Sequence, residues 1–591
     1  MRFAFLRSFN LENFKATFLR FPLSILSGAV ASGCDVWMSY TMYDGVNQDV
    51  AKLMLSSFVG ILLFTGLALL AEGHRLRSWL IQLLGIPVLY LLIYRLDLSH
   101  DMADAVRVGL LLLSSLALIF VGPYLAARDD KSFWLFFVKV WNRAMFAIAT
   151  AVITAVALAL ALVSIEHLFE VMVDGRYYQY VYSIFLVFVP NLVFLMGIPG
   201  DTKALEKETH SISFRALGTY LFAPLLSVYF VILATYVVKI LVTQVWPNGF
   251  VAMPIVIFSA IGFGMYSLIF PLLQEKDNRF LKFFNRIFLW SLPVFTVVYF
   301  IAFWQRIEQY GMTEMRYLGV ALGVLILAWS LYFGWVKKPH LKLIPFGLFV
   351  VPFLVSFGPW GVFQVAERSQ LGRLETVLTE HGLLKDGAIV PATDEAVDLK
   401  TLRDISGSLD YLVSNYGEES VATWFGGEEA VKGIGSSGLM KKMGLSYEAV
   451  YDFAPLDGGT DYYFTVNDTD PENITGYEYQ MHYYFYDMTP PAEDLSYTVG
   501  EKQLTFHYNS ISDAVELSGV GETLSIPLKD FIDGLENDHP EEGPLSRDAL
   551  SVSGQNSAVS VKIYFTNLSY HNLDGERSGF SADAQVLVKL K

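Results

Sequence analysis

The chain has 591 residues, of which 53% are hydrophobic, 15% aromatic and only 17% charged, with a mean hydropathy of +0.42. Soluble domains carry about 25% charged residues, so this chain cannot cover itself with a wetted polar surface, and its 45 Phe and single Cys exclude disorder, collagen and a disulfide scaffold. The net charge of −16 divides unevenly, with +7 on residues 1–365 and −23 on residues 366–591, so two different solvents are implied.

Residues 1–20 place Phe3, Phe9, Phe14 and Phe18 among Arg and Lys, the pattern of an amphipathic segment lying on the inner leaflet. From Phe21 to Trp360 the chain is a succession of apolar stretches near the roughly 20 residues that cross a bilayer as helix. Spans are predicted near 21–40, 53–71, 78–96, 105–125, 144–163, 178–198, 219–242, 250–273, 285–304, 316–336 and 341–360. The first is the least apolar and contains Asp35. Ala29-Val30-Ala31 also resembles a signal-peptidase site, but the apolar run before it is short, and an uncleaved first span is the favoured reading. Either way the other ten spans keep their topology.

Positive residues are retained on the cytoplasmic side. Of the 27 Lys and Arg before residue 366, 20 fall in alternate loops on the side of the N-terminus, among them Arg20, Lys131, Lys282, Lys337 and Lys338. The other side holds Lys52, Arg95, Arg107, Arg176, Lys239, Arg306 and Arg316. The bias alternates at every loop. It predicts a polytopic α-helical membrane bundle of about eleven transmembrane helices, with the N-terminus cytoplasmic and the C-terminal domain extracytoplasmic.

Domains are therefore expected at 1–20 (amphipathic), 21–362 (membrane bundle) and 363–591 (an acidic α+β domain with a mostly antiparallel sheet). In the last, Thr401–Phe425 carries Leu402, Ile405, Leu409, Leu412 and Val413 at helical spacing. Alternation predicts strands at Tyr462–Val466, Tyr477–Tyr486, Leu504–Tyr508, Ala514–Leu517, Val559–Phe565 and Gln585–Leu590, with an acidic loop at Asp530–Glu542. The tail has no Cys, since Cys34 lies in the first span; that suits a bacterial envelope. Sequons at Asn467, Asn473 and Asn567 are read as chance matches in a domain rich in Asn, Ser and Thr.

Two places stand out as candidate polar sites. Asp35 follows the small-residue stripe Ser24, Gly28 and Ser32, and an acid in a membrane helix faces a bundle interior or a water-filled cavity; hydration near the membrane surface is the competing reading. The second is Phe303–Tyr317, which joins spans nine and ten. There Gly311 suits a left-handed helix end, Thr313 a cap and Glu314 the first-turn dipole. Arg306, Tyr310, Glu314 and Arg316 are also placed to converge on a head group or anion, although caps explain the string well. Glu166, His167 and Lys239 are expected near the membrane surface, and Gly319-x-x-x-Gly323 is expected to serve helix packing.

The string Arg-Ile-x-x-Tyr-Gly-x-Thr-Glu-x-Arg-Tyr at Arg306–Tyr317 resembles the signature of bacterial multi-pass membrane proteins grouped as domain of unknown function four-one-five-three. The resemblance covers the membrane half. It implies location and class, and brings no activity or catalytic residues.

Phosphate-binding Gly-rich loops, His-Glu-x-x-His, nucleophile elbows and paired Cys are absent from the sequence. The Asp468-x-Asp470-x-Glu472 run lacks the Gly of an EF-hand and is broken by Pro471. No cofactor or metal is expected, and an acidic tail argues against nucleic acid. The expected partners are membrane lipids, a small-molecule or lipid substrate, and an envelope protein meeting residues 363–591. Transport or lipid handling in the bacterial envelope ranks first, suggested by many helices with interior polar groups and proline breaks. A non-catalytic anchor or sensor is the alternative. A membrane enzyme acting on lipid-linked substrates through Arg306, Glu308, Glu314 or Arg316 ranks third.

Overall fold

The computed structural model describes residues 11–41, 47–74, 76–96, 101–125, 129–169, 173–200, 217–243, 252–274, 278–392, 397–447, 460–466, 474–486, 495–499, 502–509, 514–519, 523–538, 543–573 and 576–591. Arg2, Arg7, Arg75, Arg128, Lys203, Lys207, Arg215 and Lys276 of the positive loops, the sequons at Asn467 and Asn473, and the Asp468–Glu472 run lie outside them.

Two compact units divide the chain, Met1–Val450 and Tyr451–Lys591. The division thus falls after Val450, whereas the composition changes at 362/363. The helices following the last apolar stretch pack on the bundle.

The first unit is helical. It begins with α1 (Leu11–Arg20) and α2 (Pro22–Tyr40), which meet at a 93° bend. Pro22, at the first position of α2, lacks the N–H that would have continued α1. Next come α3 (Gln48–Gly73), α4 (Ser78–Leu83), α5 (Gly85–Arg95) and α6 (Asp101–Val121). The 40-residue α7 (Asp130–Phe169) follows. Then α8 (Gly175–Tyr182) passes through a π-helical turn, Ser183–Phe188, into α9 (Val189–Met196). The apolar series ends with α10 (Ala223–Thr243), α11 (Ala252–Gln274), α12 (Arg279–Tyr310), α13 (Glu314–Trp335) and α14 (Leu343–Val355).

Among the described residues eight helices are long and apolar enough to cross a membrane, and the bent pair α1–α2 makes a ninth if it is one span. The predicted third and eleventh spans are shorter, at Ser78–Tyr94 and Leu343–Val355. Seventeen residues of helix reach about 25 Å and thirteen about 20 Å, against a hydrocarbon core of about 30 Å. The predicted fifth span is only the second part of α7, whose first turns bury Phe133, Trp134 and Phe136 in the bundle. Beyond them α7 exposes Ile148, Val152, Ile153, Val156 and Leu160. A helix facing lipid keeps apolar side chains on its outer face, because lipid tails are as apolar as the protein core. This protein is an integral membrane protein on that ground.

At one end of the bundle Arg20 joins three elements. Its guanidinium pairs with both oxygens of Glu72 (2.6 and 2.8 Å) and donates to the carbonyls of Ile198 and Pro199 (2.9 Å each). At the other end, α15 (Val362–Glu380), α16 (Leu399–Tyr416) and α17 (Gly435–Lys442) surround a core of Leu374, Ile405, Leu409, Leu412, Leu439 and Met440. A small hairpin of β1 (Leu384–Lys385) and β2 (Ala388–Ile389) joins α15 to this module. The helix expected over Thr401–Phe425 ends at Tyr416. Gly417, at φ +79°, turns the chain into a 3-10 segment, Glu418–Phe425, and such a backbone favours glycine.

The second unit holds two sheets. The six-stranded one has the order β4 (Tyr479–Tyr486), β12 (Glu576–Leu590), β11 (Val559–Leu573), β3 (Thr460–Val466) and β9 (Gly543–Leu545), with β10 (Ser551–Gln555) also paired to β11. Every pairing in it is antiparallel except β3–β9. The second sheet runs β5 (Leu495–Val499), β6 (Lys502–Asn509), β7 (Ala514–Ser518) and β8 (Leu524–Pro527), all antiparallel. All six predicted strands are present. The stretch expected as an acidic loop opens instead with α18 (Lys529–Asp538), whose Ile532 and Leu535 enter a core with Phe464, Phe506 and Phe565.

Candidate functional site

Asp35 lies on the face of α2 turned to α8. Its carboxylate accepts hydrogen bonds from the Ser183 hydroxyl and from Nε2 of Gln179 (3.2 Å to Oδ2). Ser183 opens the π-helical turn, and its carbonyl in turn accepts from the Ser32 hydroxyl at 2.7 Å. The polar seam continues down α2. Asn191 donates to the Ser24 carbonyl (3.2 Å), and the Ser24 hydroxyl reaches the Ile61 carbonyl and the Thr65 hydroxyl (2.9 Å each). Gly28 permits the approach: a Cβ there would lie 2.5 Å from Nδ2 of Asn191. Asp35 therefore faces protein.

The α12–α13 hairpin is pinned by its surroundings. Gly311, at φ +71°, ends α12 and donates its N–H to the Ile307 carbonyl at 2.8 Å. Thr313 has the extended backbone of a cap, but its hydroxyl makes no cap bond. The Met312 N–H donates to Ser369 Oγ (2.9 Å) instead, and Gln370 donates to the carbonyls of Tyr310 and Met312 (2.9 and 3.1 Å). Both partners come from α15, so tertiary contact completes a turn that its own residues satisfy only in part.

Three of the four predicted hairpin residues meet. The guanidinium groups of Arg306 and Arg316 lie 5.7 and 5.4 Å from the Tyr310 ring centroid, within cation–π range. Arg316 also donates to the carbonyls of Tyr310 and Gly311, at 3.1 and 2.8 Å. Glu314 turns away from them. It is 3% exposed, and its two oxygens accept the hydroxyls of Tyr411 and Tyr416 from α16. Burial, followed by the hydrogen bonds they donate to Glu314 and by its charge, pushes both phenols well above the ordinary tyrosine range. Such a carboxylate, capped by two phenols, holds the α15–α17 module on the bundle and is poorly placed for proton transfer to a substrate.

At this same end Asp104 and Arg107 pair on α6 (3.3 Å), and the Arg107 guanidinium lies 4.3 Å from the Phe363 ring centroid. Neither residue was singled out from the sequence, and an Asp-x-x-Arg spacing at a helix start was the available signal. Glu166 accepts from the Tyr178 hydroxyl at 3.3 Å, and His167 bonds the carbonyl of Val163 one turn back. Among the described residues no group of three or more His, Cys, Asp or Glu side chains is placed to hold a metal ion.

Cavities open at two places among the described residues of the bundle. The first, about 340 Å³, is apolar and is bounded by α6, α7, α11, α13 and α14 through residues such as Phe120, Phe137, Phe263, Ile326 and Leu348. Leu113, Leu116 and Trp141 also line it while remaining exposed on the bundle surface, so it opens sideways between α6 and α7. The second, about 710 Å³, lies at the lysine-rich end and is lined by Lys131, Lys282, Asn285, Lys337 and Lys338 with Asp129 and Asp130. Asp130 accepts from His340 Nδ1 (2.9 Å) and the Leu341 N–H (3.2 Å), and Asp129 from the N–H groups of Lys131 and Ser132. Neither cavity was visible from the sequence, since their walls come from helices far apart in the chain.

Comparison with known proteins places this architecture. The chain is 24% identical over 334 residues to "Uncharacterized protein PM1469" of Pasteurella multocida (strain Pm70), covering 53% of this chain and 56% of that protein. It thus spans little more than half the length of that relative. No solved structure matches. Residues 36–378, from within α2 to within α15 and including the α12–α13 hairpin, match the model described as Domain of unknown function (DUF4153), and the chain belongs to that family.

Proposed function

We propose that this protein handles lipid in a bacterial cytoplasmic membrane, its bundle holding the apolar part of an amphipathic molecule and its acidic tail lying outside the cytoplasm. The observation that carries the reading is the apolar cavity between five helices, open sideways where Leu113, Leu116 and Trp141 are exposed. A polar solute would lose its hydration there without gaining partners, whereas an acyl chain would enter from the surrounding lipid. The orientation rests on the 20 of 27 cations that fall on the N-terminal side of the spans, with the two short helices counted among eleven crossings.

Gly264 offers the test. It lines the cavity, and a Cβ added there meets nothing within 4 Å, so Gly264→Leu grows into empty space. Leu also favours helix over Gly by about 0.8 kcal/mol, which protects the fold. Native mass spectrometry of the purified full chain is expected to show retained lipid in the parent and its loss in the variant. Equal retention would overturn the reading. For orientation, Lys337→Cys and Ser546→Cys in a Cys34→Ala background are expected to react oppositely with impermeant maleimide on intact cells, with only position 546 labelled.

A second reading, an anchor whose tail recognises an envelope partner, is favoured by one observation. The Tyr451–Lys591 unit has its own core, centred on Phe464, Phe506 and Phe565. Capture of a partner by the tail, together with unchanged lipid content in Gly264→Leu, would favour it over lipid handling.

A further inference from the structure

We propose that the polar cavity at the lysine-rich end is the headgroup site for an anionic glycerophospholipid whose acyl chain occupies the apolar cavity, an inference that rests on the lipid-handling reading above. The two cavities share walls. On α7, Asp130 lines one and Phe133 the other; on α11, Tyr266 and Phe263; on α13, Phe333 and Trp329. The pairs are three or four residues apart, so on each helix the two cavities are one turn apart, about 5 Å. Packed rings form the partition between them, which the acyl chain has to round: Tyr266 to Phe333 at 4.8 Å, Phe263 to Phe333 at 6.3 Å and Phe263 to Trp329 at 5.2 Å between centroids.

The charge in the polar cavity is arranged for an anion. Four lysines line it against two aspartates. Both aspartates are committed: Asp129 accepts from the N–H groups that open α7, and Asp130 holds His340 and the Leu341 N–H. Among the described residues the side-chain ammonium groups of Lys282, Lys337 and Lys338 have no ion-pair or hydrogen-bond partner. Among the described residues these three ammonium groups and the Asn285 amide thus border a space of about 710 Å³ with no carboxylate paired to them. A phosphodiester supplies the charge they lack, and a tail one helical turn away supplies the apolar part. A zwitterionic lipid brings its own cation, which Lys337 and Lys338 would repel. Near a membrane surface each Lys adds about fivefold to the affinity for an anionic lipid.

The experiment uses the purified full chain, delipidated and incubated with an equimolar mixture of phosphatidylglycerol and phosphatidylcholine, with bound lipid read by native mass spectrometry. The parent is expected to retain phosphatidylglycerol about tenfold or more over phosphatidylcholine, a preference sized by its lysines. Lys282→Gln, Lys337→Gln and Lys338→Gln combined should abolish the preference while total lipid is kept. The corresponding triple Arg variant should restore it, which separates charge from misfolding. Arg279→Gln, an exposed cation outside the cavity, should leave it unchanged. An undiminished preference in the triple Gln variant overturns the proposal, as does displacement of the lipid by millimolar glycerol 3-phosphate, which would mark a site for soluble organophosphates. Lipid bound without headgroup preference overturns the headgroup site alone. No lipid bound by the parent overturns the lipid-handling reading as well.

Discussion

The hydroxyl of Tyr416 donates to Oε1 of Glu314, a residue 102 positions earlier in the chain, and Tyr411 caps the other oxygen of the same buried carboxylate. A side chain that looks like a first-turn helix partner is thereby the acceptor that fastens the α15–α17 module to the end of a membrane bundle.

Replacing Glu314 by Ala would leave two buried phenols without an acceptor, at a cost of about 2–4 kcal/mol. The expected readout is local: hydrogen exchange should speed up across Leu399–Tyr416 while the amides of α13 stay protected. Tyr411→Phe and Tyr416→Phe should be non-additive in the double variant, because both act through one carboxylate. Uniform exchange throughout the unit would show that Glu314 does not hold this junction.

Alkaline conditions should loosen the same junction. The folded protein binds the Tyr411 and Tyr416 protons more tightly than the unfolded chain does, since burial and Glu314 raise both pKa values. Their contribution is complete below the ordinary tyrosine pKa of about 10 and declines as the pH rises beyond it. Thermal unfolding in nanodiscs from neutral to strongly alkaline pH should show the decline, and Tyr416→Phe should flatten it.

Asp35 is expected to hold α2 against α8. Leu at this position would remove the charged acceptor of Ser183 and Gln179, costing about 1–3 kcal/mol. Asn, which keeps one acceptor oxygen, should cost less. A thermal midpoint for Asp35→Leu equal to the parent's would show that the seam does not hold these helices.

Close packing of α12 on α13 depends on Gly319. A Cβ there would fall 2.2 Å from the Phe303 ring, and the carbonyl of Gly319 accepts the Tyr299 hydroxyl at 2.7 Å. Gly319→Leu should therefore overpack the pair and cost about 1–3 kcal/mol. Gly334, where a Cβ meets nothing within 4 Å, is the matched control; Gly334→Leu should be close to neutral by the same thermal assay.

Much of the bundle was legible because lipid imposes a strong rule: backbone polar groups must be satisfied within each helix, so spans appear as unbroken apolar runs. Length was less legible. Hydropathy counts α14 as a full span, yet its helix is only Leu343–Val355, and it hides the first turns of α7 because Phe133 and Trp134 look the same whether buried by protein or by lipid. In the tail, alternation marked six strands and missed β5, β8, β9 and β10, although β7, which it found, is no longer than β5 or β10.

The candidate sites divide in the same way. Arg306, Tyr310 and Arg316 meet because they flank one turn, and proximity in sequence predicts that. Glu314 could not be assigned from the hairpin, since its partners lie on α16. Asp35 was marked by its chemistry, but Gln179 and Ser183 were not, because neither is unusual until α8 is laid beside α2.

By itself the sequence determined that an apolar, span-rich part precedes an acidic one, for charge and hydropathy are sums over residues and need no contacts. Net charge of −16 concealed +7 on residues 1–365 and −23 beyond them, and the proposed orientation rests on that distribution. Only the tertiary structure decided where the membrane unit ends, what Glu314 holds and where the bundle is hollow. Those are properties of side chains from distant helices meeting, and a cavity has no residues of its own.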